Sequence, residues 1–311
     1  MQILTNPMQN TVRRMSGPVL ALAMLGTASI AWAGSGAPSG DELAAATYHG
    51  IESAPVTLSG GHWEGEPEPP GSAAVPRVDL NRDFRVTGDL DGDGDEESVA
   101  LLYYNFGGSG VFSYLAVVGR DENGAARNLA TTQLGDRVQL RSARVNDGVL
   151  EVKTVEGGPG DGACCPGQKR LRMMALEDGK LVETSNEDHG RLGLEDLQGV
   201  SWRLVSWGAD NPVADGVDID IAFGDGLISG SSGCNSYRAS LESGELPGNF
   251  SLSSPLAGTR MACEPDVEAV EANFLEALQK ATRFRFAGGR LMLDWSDEEQ
   301  WGSPGFRATA D

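Results

Sequence analysis

Catalytic signatures are the first thing the chain lacks. It has no Gly-x-Ser-x-Gly elbow, no His-Glu-x-x-His zinc helix and no Gly-rich nucleotide loop. With His 3 and Cys 4 in 311 residues, little material is left for a zinc centre or a Cys–His pair. Positive charge is scarce too: Lys+Arg 24 against Asp+Glu 45 gives a formal net charge of −21. That balance argues against nucleic acid and anionic membrane surfaces as partners and favours cations and basic proteins. After residue 33 no apolar run approaches a membrane span. Acidic residues are too abundant for one pair to stand out as general acid and base, so the expectation is that the chain is not an enzyme. Ser109, within Gly107-Gly108-Ser109-Gly110, reads as a hairpin turn, and His49 and His62 read as structural flanks of the first strands.

The first 33 residues stand apart. Arg13 and Arg14, the apolar segment Val19 to Ile30 and the small-residue ending Ala31-Trp32-Ala33 read as a cleavable signal peptide over 1–33. Its removal deepens the charge to −23 and places the protein in the periplasm or outside the cell, where cysteines favour disulfides. No Cys sits at the cleavage point, so no lipid anchor is expected. Gly/Pro/Ser-rich residues 34–45 read as a flexible N-terminus.

A hydrophobic share of 40% in this length supports two cores rather than one. Short strand-like runs punctuated by Asn-Asp-Gly, Asp-Gly and Gly-Gly turns make 46–183 an antiparallel β-domain. Polar residues 184–193 read as a linker, and 194–308 as a second β-rich unit. That unit has one clear helix, from Pro265, with Val267, Val270, Phe274 and Leu278 on one face. Phe284-Phe286 and Leu291-Trp295, split by Ala287-Gly288-Gly289-Arg290, make a closing hairpin.

The most unusual stretch is Gly88-Asp89-Leu90-Asp91-Gly92-Asp93-Gly94-Asp95-Glu96-Glu97. Acidic side chains this close repel one another unless a cation collects their oxygens, and Asp89, Asp91 and Asp93 at positions one, three and five begin a calcium loop. An EF-hand needs Glu at position twelve, which is Ala100, so that reading fails. With Glu97 at position nine and a strand following, the loop instead resembles those of FG-GAP and related β-repeats. That resemblance implies one structural Ca2+ held by Asp89, Asp91, Asp93, the backbone carbonyl of Asp95 and Glu97. The competing reading is a solvated acidic turn.

Cys164 and Cys165 are adjacent, which leaves a vicinal disulfide, two free thiols, or bridges to Cys234 and Cys263; pairing within each domain is favoured. At Gly233-Cys234-Asn235, Thr259-Arg260-Met261-Ala262-Cys263 and the following helix, the second unit resembles the META (HslJ-like) domain over Leu194 to Arg307. The resemblance implies a small, partly open barrel with one packed helix, found in envelope proteins linked to stress tolerance and secretion, without established catalytic residues. A Cys234–Cys263 bridge would stabilise by about 3.5 kcal/mol through loop-closure entropy.

The resulting expectation is a mainly β protein with minor α, built from two β-rich domains. It acts as a non-enzymatic envelope binding or stress-protection module, toward an envelope protein or a small apolar ligand. Two alternatives accompany it: a redox protein or hydrolase using Cys164 and Cys165, and a lipid held inside the barrel.

Overall fold

Val99-Ala100-Leu101-Leu102 is apolar at every position, and the fold supplies two cores to receive it. A computed structural model of the protein describes residues 36–67, 69–208, 211–214 and 216–309; the expected signal peptide lies outside the described residues. Strands β1 (Thr47–Tyr48) and β2 (Val56–Thr57) pair as a ribbon. Next come β3 (His62–Glu64), β4 (Arg77–Gly88), β5 (Glu97–Asn105), β6 (Phe112–Arg120) and β7 (Ala126–Asp136), a five-stranded antiparallel sheet in chain order. A four-stranded meander follows: β8 (Gln139–Asn146), β9 (Val149–Glu156), β10 (Gln168–Glu177) and β11 (Lys180–Arg191). Successive side chains of a strand face opposite ways. Val99 and Leu101 therefore join Leu140, Leu150, Val152 and Met174 between the two sheets, while Ala100 and Leu102 join Leu43, Tyr48 and Val56 on the other face.

Two expectations are corrected here. The 34–45 segment is not loose where it is described: Ser39 forms a capping box with Glu42 on the short helix α1 (Gly40–Leu43), and Leu43 is 1% exposed. Pro38 O accepts from Ser98 Oγ at 2.6 Å and from Arg85 Nε at 2.9 Å, so burial and hydrogen bonding override the Gly/Pro/Ser composition. Nor is 184–193 a linker. Most of it belongs to β11, which pairs with β10 from Glu177↔Lys180 to Gln168↔Arg191. Its polarity reflects its place at the edge of the meander, with mostly exposed side chains, where charge also blocks pairing with a further strand.

A 3-10 helix, Leu194–Leu197, leads into the last sheet. Its strands are β12 (Ser201–Ser206), β13 (Asp220–Gly224), β14 (Leu227–Ser231), β15 (Ser236–Ser243), β16 (Phe250–Leu252) and β17 (Ala257–Gly258). After α2 (Pro265–Lys280) come β18 (Ala281–Ala287), β19 (Arg290–Ser296), β20 (Trp301–Gly302) and β21 (Gly305–Ala308). The pairing order β16-β15-β14-β13-β12-β21-β19-β18 almost closes on itself, because Phe284 N donates to Gly248 O at 2.8 Å beside an Asn249–Arg283 bridge. Helix α2 starts with Pro at its first turn, as the sequence predicts, and packs Phe274 and Leu278, each 1% exposed, into the barrel core with Tyr237, Phe284 and Phe306. The expected class, mainly β with a partly open barrel and one packed helix, is the class the chain adopts.

The described residues form one compact unit, so the halves expected at 46–183 and 194–308 meet directly. Asp196 pairs with Arg141 at 3.1 Å and Lys169 at 2.9 Å, while Asp83 pairs with Arg290 and Arg307 at 2.8 Å each. Phe286 N donates to Gln139 Oε1 at 2.9 Å, and Gly289 N to Leu140 O at 3.0 Å. Among the described residues no helix is long and apolar enough to cross a membrane.

Candidate functional site

The acidic loop closes the β4–β5 hairpin, whose last pair is Gly88↔Glu97. Its turns are made by its own carboxylates: Asp89 accepts from Gly92 N at 2.7 Å and Gly94 N at 3.1 Å, and Asp93 accepts from Asp95 N at 2.8 Å. Gly92 and Gly94 take φ +80 and +95, a region that favours glycine, which explains the Asp/Gly alternation. The strand pulls Glu97 inward to 3% exposure, where Oε2 accepts from Leu90 N at 2.7 Å.

Asp89, Asp91 and Glu97 bring carboxylate oxygens within 4.8 Å of one another. The side chains of Asp93 and Asp95 stand outside that trio, both exposed. Of the five expected positions, the side chains of Asp89, Asp91 and Glu97 converge, while Asp93 accepts from the amide of Asp95, the residue expected to offer its backbone carbonyl. Burial pushes the Glu97 carboxyl above its ordinary value, with the charges of Asp91, Asp93 and Asp89 adding to the rise against the Leu90 hydrogen bond. Burial also raises Asp91, with smaller upward contributions from Asp93 and Asp89. Hard oxygen donors at this spacing match calcium, whose ligands lie roughly 2.3–2.6 Å from the ion.

The four cysteines pair as Cys164–Cys165 and Cys234–Cys263. Asp161, with a side chain 4% exposed, organises the vicinal loop: it accepts from Gly158 N at 2.8 Å and Gly167 N at 2.9 Å and pairs with Arg191. The Arg191 hydrogen bond, foremost, holds its carboxyl down at about 2. Cys164 is exposed and Cys165 buried.

The Gly233-Cys234-Asn235 turn explains its own residues. Gly233 has φ +113, and Ser232 N donates to Asn235 O at 2.7 Å. Asn235 Oδ1 accepts from Thr259 Oγ1 at 2.9 Å and Met261 N at 2.7 Å, while its Nδ2 donates to Glu271 Oε2 at 2.9 Å. The amide and the Cys234–Cys263 bridge thus tie the same turn to the same segment. Glu271 is 7% exposed, accepts also from Asn235 N at 3.2 Å and from Ser232 Oγ, and is missed by sequence reasoning. Its signal is a carboxylate between Val267 and Phe274 on the buried helical face.

Residues 195–302 match the META domain. The match spans the 3-10 helix, α2 and the barrel as far as β20, so the resemblance carried by Gly233, Cys234, Asn235, Thr259, Met261 and Cys263 holds for the C-terminal part of the chain. An NMR structure of a protein from Burkholderia xenovorans is similar at 29% identity, over 38% of this chain and 87% of that one, with a TM-score of 0.31. No curated protein matches.

Proposed function

We propose that the chain is an exported envelope protein, a non-catalytic binding or stress-protection module in which the acidic loop holds one structural calcium ion in the manner of FG-GAP-type loops. The observation that carries the calcium reading is the convergence of Asp89, Asp91 and buried Glu97 within 4.8 Å, with two of the three carboxyls pushed upward by burial and mutual charge. A divalent cation there would cancel that repulsion and pin the β4–β5 turn to the sandwich core through Leu90. Titration calorimetry of the chelated protein tests the ion. Saturable heat with an affinity on the order of 10⁻⁴ M, typical of extracellular sites, is expected, and no heat at millimolar calcium overturns the reading.

The redox alternative has one observation in its favour, the exposure of Cys164 beside buried Cys165. Exchange with a dithiol substrate that is abolished by Cys164→Ser would make it the better reading. Against a lipid inside the barrel stands the filling of that interior by Phe274, Phe284 and Phe306, each 1% exposed or less.

A further inference from the structure

Strand alternation on β18 sends Phe284 and Phe286 into the barrel core, so Arg283 and Arg285 take the opposite face. On β19, Leu291 and Leu293 point inward, and Met292 and Asp294 share the arginines' face. In a free barrel that face would be wet. Here the N-terminal sheets cover it, and a cleft of about 810 Å³ remains between them, with Asn81, Tyr103 and Gln139 on one wall and the arginines on the other. The walls are fixed by the Gln139 and Leu140 hydrogen bonds to Phe286 and Gly289.

The cleft inverts the charge of the chain. Arg137, Arg283, Arg285 and Arg290 line it against Asp79 and Asp294. Two of the arginines are occupied: Arg285 Nε lies 2.8 Å from Asp294, and Arg137 donates to Ser109 O at 2.7 Å. The other two are under-satisfied. Arg290 is 8% exposed and bonds Asp83 and Ser206, yet its Nε is buried without a hydrogen-bond partner. Arg283 makes no ion pair or side-chain hydrogen bond among the described residues, and its Nε is buried as well. Burial lowers its pKa, opposed by Asp294 and reinforced by Arg285. A buried N–H without a partner is destabilising, and native chains keep few of them. Trp207 and Trp301 add ring surface to a volume in the small-molecule range.

We propose that this cleft binds a small organic anion, a carboxylate or phosphate head on an apolar, ring-sized body, with Arg283 supplying the principal charge. Guanidinium suits such heads because its planar fork matches two oxygens at once. The proposal names a ligand class for the binding role argued above and rests on that role, but it shares no residue with the acidic loop.

Full-length protein is titrated with benzoate, phenyl phosphate, inorganic phosphate and neutral benzyl alcohol, followed by calorimetry and by the fluorescence of Trp207 and Trp301, with calcium and again after chelation. Both aromatic anions are expected to bind at least about tenfold more tightly than benzyl alcohol, a difference of roughly 1.4 kcal/mol. The stronger of the two identifies the head, and weaker binding of inorganic phosphate shows the ring walls at work. Arg283→Met is expected to weaken the anions about tenfold while raising the melting temperature of the ligand-free protein by about 2 °C or more, since it removes an unpaired charge. Equal binding of benzyl alcohol, unchanged affinity in Arg283→Met, a fall in its melting temperature, or no anion heat at ~10 mM each overturns the assignment. Anion binding that survives while calcium has no effect overturns the loop reading alone, and the reverse overturns the cleft alone.

Discussion

Asn235 holds Glu271 through two donors, its side-chain amide to Oε2 at 2.9 Å and its backbone N–H to Oε1 at 3.2 Å. A buried carboxylate with neutral donors instead of a cation depends on every one of them. Asn235→Ala is expected to cost roughly 2–4 kcal/mol, since it leaves Glu271 short of a partner and frees the Thr259–Met261 segment. Asn235→Asp should cost more at pH 7, because it sets a second carboxylate where the donor stood. Urea midpoints of the two variants check the order.

The calcium reading separates residues that look alike in sequence. At ~10 mM calcium and an affinity on the order of 10⁻⁴ M, stabilisation is about 2.7 kcal/mol, a melting shift of about 5 °C or more. Glu97→Gln should abolish that shift, whereas Asp95→Asn should keep most of it, because only Glu97 belongs to the convergent trio. Thermal melts with and without chelator decide it.

The two disulfides should differ in what they contribute. Cys234–Cys263 closes a separation of 29 residues, so removing it with a Cys234→Ser, Cys263→Ser pair is expected to cost about 3.5 kcal/mol. Cys164–Cys165 closes a separation of 1, and its removal should cost under about 1 kcal/mol in loop entropy. Denaturation of the two double variants gives the contrast.

Acid should loosen the protein in a defined window. Asp161 and Glu42 are each held at about 2, chiefly by Arg191 and Arg120, below ordinary values of 3.8 and 4.5. Their contribution is fully present above those ordinary values and is lost as pH falls through them toward 2. Asp161→Asn should remove part of that slope and speed amide exchange at Gly158 and Gly167, whose N–H groups it otherwise binds. Melts from pH 5 to pH 2 and hydrogen exchange read both effects.

The sequence displayed most clearly what local chemistry controls. Pro265 and the Val267–Leu278 spacing marked α2, and the Gly288-Gly289 turn marked the β18–β19 hairpin, although that hairpin does not close the chain, since β20 and β21 follow it. Arg77–Gly88 went unread as a strand because its polar residues hide the alternation, as did Lys180–Arg191 at a sheet edge. In the acidic loop the residue types were legible but not which of them converge, since that depends on Asx turns and on the burial of Glu97. The arginine cleft was illegible. Arg283 and Arg285 alternate with phenylalanines as any solvent-facing hairpin would, and the wall that covers them comes from Asn81 and Tyr103, far back in the chain.

Only Leu192 and Gly193 separate β11 from the 3-10 helix, a span of about 7 Å fully extended. Leu192 is itself 5% exposed, with its N–H on Gly167 O at 2.8 Å. With Leu192 buried and the Asp196–Arg141, Asp83–Arg290 and Phe286–Gln139 contacts joining the halves, the META barrel here is not a portable cassette. Heating should melt both halves in one calorimetric transition, and excising the barrel would strip the cover from its arginine face.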